Sequence, residues 1–299
     1  MSYFYRVFDL VLRSELECPT LVALPPQAQY DIEMTLGPVK MAPLDNPEKI
    51  KYMEACPQGM RVFFPEIMRS AVTEGSKIVI EPLTESWDQL RLFALGASMG
   101  ALLHQRGYAV IHGNAIVHND LSYVFAGPSG IGKSTLATAF HQAGFGLLAD
   151  DVVAVRFDDQ GAPWALPSYP HVKLWEDAIE ALSLESAEKS PLYDRVTKFS
   201  VPMTDAFYPK PCRLAGYYSL HKTPGKSLYL EPLKGFKAFT AIQENIFRDY
   251  YLAVMGLGPQ HFTVGMALAK RVPAFNLYRP EEGFFTNRMV EAFQKGELV

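Results

Sequence analysis

Apolar and polar positions alternate in short runs over the first eighty residues and then change period. YFYRVFDLVL at 3–12 and YDIEMTL at 30–36 are rich in aromatic and branched residues, which predicts strands separated by a loop at Pro25-Pro26. MRVFF at 60–64 and KIVIEPL at 77–83 predict a further pair around the turn signal Glu74-Gly75, and residues 43–57 read as a loop. From Thr84 the spacing is helical. TESWDQLRLFALGASMGALLHQRG offers Thr84 or Ser86 as N-cap, acidic residues in the first turn and Gly107 past the end, predicting one helix of about 18 residues. Strands YAVIHG at 108–113 and LSYVFAG at 121–127 follow, joined by a hairpin loop through His118, Asn119 and Asp120. The helix KSTLATAFHQAGF and the apolar runs FGLLA and VVAV come next, and helical spacing returns at 238–256 and 284–296. Alternation of strand and helix marks an α/β domain. The chain therefore divides into a β-rich N-terminal region, 1–84, and an α/β domain, 85–299. Seven prolines make 161–215 read as loop-rich and as the place for a second substrate.

Composition narrows the function classes. With 299 residues, 48% of them hydrophobic, the chain can bury a sizeable core. A net charge of −4 gives no global basic surface, so no nucleic-acid partner is expected. Three dispersed cysteines, Cys18, Cys56 and Cys212, suit structural thiols in a reducing compartment. The opening MSYFYRVFDLVLRSE mixes charges into its apolar run, unlike a signal peptide, and no segment reaches the roughly 18 apolar residues of a membrane span. A cytoplasmic protein without a membrane partner is the expectation.

Gly127-Pro128-Ser129-Gly130-Ile131-Gly132-Lys133-Ser134 fits the phosphate-binding pattern G-x-x-x-x-G-K-S/T, with Thr135 next, a strand before it and a helix after. Its glycines let successive N–H groups converge on one anion, Lys133 reaches the β- and γ-phosphates, and Ser134 offers a hydroxyl to Mg²⁺. ATP and Mg²⁺ are the ligands this implies. Asp150 and Asp151 then stand at the end of an apolar strand. There one carboxylate of the pair can hold Mg²⁺ and the other can accept the proton of an attacking hydroxyl. His112 ends the strand that leads toward the loop, and by itself reads more readily as a satisfied core histidine than as a site residue.

Residues 105–156, with a His-Gly strand, the phosphate loop and the Asp-Asp strand in order, resemble the catalytic core of the HPr kinase/phosphorylase family. The resemblance implies an α/β P-loop core of the HPr kinase and phosphoenolpyruvate carboxykinase type, with His112, Lys133 and Asp151 catalytic, Asp151 the proton acceptor from the target serine, and Ser134 a magnesium ligand, which leaves Asp150 as the metal-holding acid of the pair. The family's glycine-rich signature after the Asp-Asp strand has no match, leaving Glu176 and Asp177 as stand-ins for its second magnesium-binding acid. YRVFDLVLRSELECPTL near the start and PSYPHVKLW at 167–175 resemble the kinases encoded with lasso peptide biosynthesis genes. That likeness implies a peptide or protein partner carrying a serine, at the C-terminal end of a lasso precursor peptide. Homo-oligomers, common in the family, are a further expectation. A small-molecule kinase and a P-loop NTPase acting as a regulatory switch are the alternatives. Among cations in the loop-rich stretch, Lys198 is the first candidate to neutralise the transferred phosphoryl group, before Lys173 and Arg195. Tyr169 and Trp175 fit either an acceptor pocket or ordinary core packing.

Overall fold

The computed structural model describes residues 2–42, 52–182, 190–193, 196–224, 227–281 and 285–297. The run 3–12 is not one strand. It folds back at Phe8-Asp9, whose φ values of 51° and 59° make the two-residue turn that matches strand twist. β1 (Tyr3–Val7) and β2 (Leu10–Ser14) thus form a hairpin with Val7 opposite Leu10. No glycine announces the turn; burial of the Phe8 ring offsets its backbone cost. β3 (Val22–Leu24), β4 (Ile32–Leu36), β5 (Tyr52–Cys56), β6 (Gly59–Phe64), β7 (Met68–Thr73) and β8 (Lys77–Pro82) complete a sheet in the order β3-β1-β2-β4-β8-β7-β6-β5. β7 escapes the sequence pattern because a serine, Ser70, occupies one of its buried positions.

The helix expected from Thr84 runs from Trp87 to Gln105. It comprises α1 (Trp87–Phe93), a π-helical turn at Ala94–Ser98 and α2 (Met99–Gln105), with Ser86 Oγ accepting from the Gln89 amide. It packs on the first sheet through Ser98 to Ser70 and Gln105 to the Val72 carbonyl. The chain divides into two compact units at Tyr108/Ala109. The first comprises Met1–Tyr108 and Arg248–Phe262, the second Ala109–Phe247 and Thr263–Val299.

The second unit holds β9 (Ala109–His118), β10 (Leu121–Ala126), α3 (Lys133–Gln142), β11 (Gly146–Ala149), β12 (Val152–Phe157), β13 (Pro163–Ala165), β14 (His171–Trp175), α4 (Glu176–Ala181), β15 (Ser190–Tyr193) and β16 (Val196–Pro202). β17 (Cys212–Thr223), β18 (Tyr229–Leu233), α5 (Phe236–Gln243), β19 (Ala274–Pro280) and α8 (Thr286–Gln294) complete it. Between α5 and β19, α6 (Tyr250–Met255) belongs to the first unit, and α7 (Gly258–Arg271) spans both. The main sheet runs β10-β9-β12-β13-β17-β19-β18, and β10 also pairs in parallel with β17, closing a ring of strands. Phe125, Phe140, Tyr218, Leu277, Met289 and Phe293 fill the space between this sheet and helices α3 and α8.

Three sequence expectations need correction here. Within 43–57, read as a loop, residues 52–56 form β5. The stretch 161–215 carries β13 to β16 and the start of β17, including a second sheet β14-β16-β15, and three of its prolines sit where strands tolerate them: Pro163 opens β13, Pro202 closes β16 and Pro191 lies on edge strand β15. The helix expected over 238–256 breaks into α5 and α6 because residues 245–247 leave it to hydrogen-bond with the start of β9.

Burial also sets the thiol chemistry. It pushes the Cys18 thiol up to about 12 and Cys212 to about 11, whereas Cys56 is half-buried. Iodoacetamide at pH 8 is expected to label Cys56 first, and the other two only on unfolding, read by peptide mass spectrometry. Because both folded values lie above the ordinary 9.0, their contribution to stability is complete below pH 9 and is lost as pH rises toward 12.

Candidate active site

Strand register assembles the site. β9 lies between β10 and the β11–β12 pair: Ala126, the last residue of β10, is opposite Gly113, while Val152 is opposite His112 and Ala149 opposite Ala115. The phosphate loop, the 112–114 segment and the Asp150-Asp151 kink are therefore neighbours. Gly113 is the necessary residue at this crowded crossing, since a Cβ there would lie 2.7 Å from the Phe125 carbonyl oxygen. Asp150 and Asp151 join two strands that are both antiparallel to β9.

The loop leads into α3 through Gly132, whose φ of 100° is open to glycine and strained for other residues. Gly127–Ser134 thus wraps the helix N-terminus, where amide groups and the helix dipole favour an anion. Lys133 is buried, and its Nζ donates to the Gly127 and Pro128 carbonyls at 2.8 and 3.0 Å. It also lies 3.1 Å from His112 Nε2. An ammonium can only donate, so Nε2 is the acceptor and the histidine proton resides on Nδ1. Nδ1 is 3.1 Å from the Asp151 carbonyl and 3.5 Å from its Oδ1. Asn114, two residues along the same strand face, donates to the Lys133 carbonyl and fixes the first turn of α3 from below.

The two aspartates have different surroundings. Asp150 is buried, accepts from Ser134 Oγ at 2.9 Å and takes the Lys173 amide at 2.8 Å. Asp151 adopts φ of 69°, and the Val152 amide reaches over it to the Asp150 carbonyl, a three-residue turn that is costly for a non-glycine residue. This turn sends the two carboxylates in different directions. Asp151 Oδ2 meets Lys173 Nζ at 2.6 Å. Burial is the largest influence on the Lys173 ammonium and disfavours it, but Asp151, Tyr169 and Asp150 together outweigh it and raise the group above its ordinary value. Tyr169 stands against Lys173, and burial pushes its phenol up.

His112, Lys133, Ser134, Asp150 and Asp151 are thus brought together, and so is Lys173. The sequence ranked Lys198 ahead of it. Arg195 lies outside the described residues, as do the side chains of Asp177 and Lys198, while Glu176 and Trp175 are exposed where β14 meets α4. Three neighbours went unforeseen: Lys173 as an Asp151 partner, Asn114, and Arg279, which binds the phosphate loop from β19.

Ser134 Oγ and the Asp150 carboxylate are hard oxygen donors side by side at the helix N-terminus, a set that suits Mg²⁺ completed by phosphate and water. Among the described residues no group of three His, Cys, Asp or Glu side chains converges as metal ligands, and no helix is long and apolar enough to cross a membrane. No family model and no curated protein matches the chain. Among solved structures, the Hpr(Ser) kinase/phosphatase from Coxiella burnetii is similar to it with a TM-score of 0.33 and 14% sequence identity, over 63% of this chain and 95% of that one.

Proposed function

We propose that the protein transfers the γ-phosphoryl group of ATP to a serine hydroxyl. The observation that carries this reading is the register-built meeting of a phosphate loop with two differently held aspartates, one on Ser134 and one between His112 and Lys173. The loop amides and Lys133 bind the phosphates, Lys133 exchanging the Gly127 and Pro128 carbonyls for phosphate oxygens. Ser134 and, directly or through water, Asp150 hold Mg²⁺, which supplies charge neutralisation when bound. Asp151 takes the serine proton as the new O–P bond forms and the bond to ADP breaks; His112 and Lys173 orient its carboxylate.

The acceptor we assign is a serine at the C-terminal end of a lasso precursor peptide. It rests on the likeness of the opening segment and of 167–175 to lasso-associated kinases. Mass spectrometry of such a peptide incubated with the protein and MgATP is expected to show one added phosphoryl group on serine. ATP turnover without that adduct would sink the peptide acceptor in favour of a small-molecule kinase or an NTPase switch, and no turnover would sink phosphoryl transfer.

A further inference from the structure

The middle of the phosphate loop is clamped at Ile131 from two sides. Its side chain is buried among Leu136, Phe140, Leu220 and Leu277. Its carbonyl oxygen accepts from both Nε and Nη2 of Arg279, at 3.0 and 2.8 Å. Arg279 is the penultimate residue of β19 and is only 6% exposed, with its guanidinium 4.2 Å from the Phe285 ring centre and Nη1 on the Pro280 carbonyl at 2.8 Å. Two of the three nitrogens of a planar fork, spent on one backbone carbonyl 148 residues away in sequence, are a costly way to fill space.

A peptide plane has two faces. With the Ile131 oxygen drawn toward Arg279, the amide on the other side of that plane, Gly132 N–H, points away from Arg279. The Gly132 position lies beside the guanidinium, a Cβ there being 3.9 Å from Nη2. Rotation of this plane would turn a carbonyl dipole toward the bound anion in place of a donor, reversing its electrostatic sign. Glycine at 132 leaves that rotation sterically open, so something else must forbid it.

We infer that Arg279 is a positioning residue for nucleotide binding, one that locks the Ile131–Gly132 peptide with its amide toward the phosphates. The inference rests on the phosphate loop binding ATP, as proposed above. It assigns Arg279 to affinity for the di- and triphosphate, separate from proton transfer at Asp151. Charged hydrogen bonds of this kind correspond to about ten- to a hundredfold in equilibrium.

The test is calorimetric titration of the full chain with MgADP and MgATP for wild type, Arg279→Lys and Arg279→Met, alongside steady-state kinetics. Arg279→Met is expected to raise Kd about a hundredfold and Arg279→Lys, which keeps charge and one donor, about tenfold. The KM for the acceptor and kcat at saturating ATP stay within about threefold. A merely structural arginine would lower the melting temperature but leave Kd of the folded protein unchanged, and that result in either variant overturns the inference. If Arg279→Met does not fold, Arg279→Lys decides. Wild type that binds neither nucleotide would instead overturn the phosphate-loop reading, and this inference with it.

Discussion

Asp151→Asn is expected to lower phosphoryl transfer by about 10³-fold while leaving MgATP affinity within about threefold. The substitution keeps the shape of the side chain, and asparagine tolerates the positive φ of 69° nearly as well as aspartate does, so the turn that aims residue 151 survives. What disappears is the ability to take a proton. The phosphate loop and the Ser134–Asp150 pair are untouched, so nucleotide binding reports the fold of the site independently. Measured kcat with a serine peptide, beside calorimetry with MgATP, separates the two. Activity within about tenfold of wild type would mean that another group receives the serine proton, and the assignment of Asp151 would fall.

The parts of this site that are contiguous in sequence were legible there. The loop 127–134, its flanking strand and helix, and the Asp-Asp pair are local patterns whose backbone demands are written in the residues themselves. His112 was not separable from a core histidine by local pattern, because its position depends on register: it matters only once Val152 is opposite it and Gly113 is opposite Ala126. Asn114 carried a usable signal, being two residues on and therefore on the same strand face as His112. Lys173 was obscured by the prolines around it. In HVKLW, Val172 and Leu174 are buried and Lys173 faces the other way, an alternation that a loop reading hides. Arg279 gave no local signal at all, since its partner is a backbone carbonyl on a distant segment.

The same division explains the fold. Helix ends were readable because Ser86 and Gly107 are chemical stops, whereas the Phe8-Asp9 turn and the break after α5 have no glycine or proline to mark them. In both, packing of a large side chain or a pairing with a distant strand decides the backbone. The sheet order followed least directly from sequence, because an antiparallel β9 between the phosphate-loop strand and the aspartates satisfies the same motif order as a parallel sheet would.

Lys173 reaches Asp151 from β14, a strand of another sheet, so no motif around the aspartates reveals it. Asp151 faces His112 on one side and Lys173 on the other, and the Lys173–Asp151 pair retains only 11% and 20% side-chain exposure. Removing one partner of such a pair leaves a charge with little water to replace it. Lys173→Met, similar in length and without charge, is expected to cost about 3 kcal/mol, the lower end for unpairing a buried ion because Asp151 keeps some solvent. The sign with pH follows from the raised value of Lys173. Its folded value lies above the ordinary 10.5, so the pairing contributes fully at every pH where Asp151 is ionised and below about 10.5, and fades as pH climbs through the higher folded value. Urea unfolding should therefore show a gap between wild type and variant that is flat from about pH 6 to 9 and narrows above about 10.5. Transfer should fall about a hundredfold as the Asp151 carboxylate loses one of the two groups that aim it, an effect of misplacement with the proton acceptor still present. A stability gap under about 1 kcal/mol at pH 7 would class the pair with ordinary surface ion pairs and remove Lys173 from the positioning of Asp151.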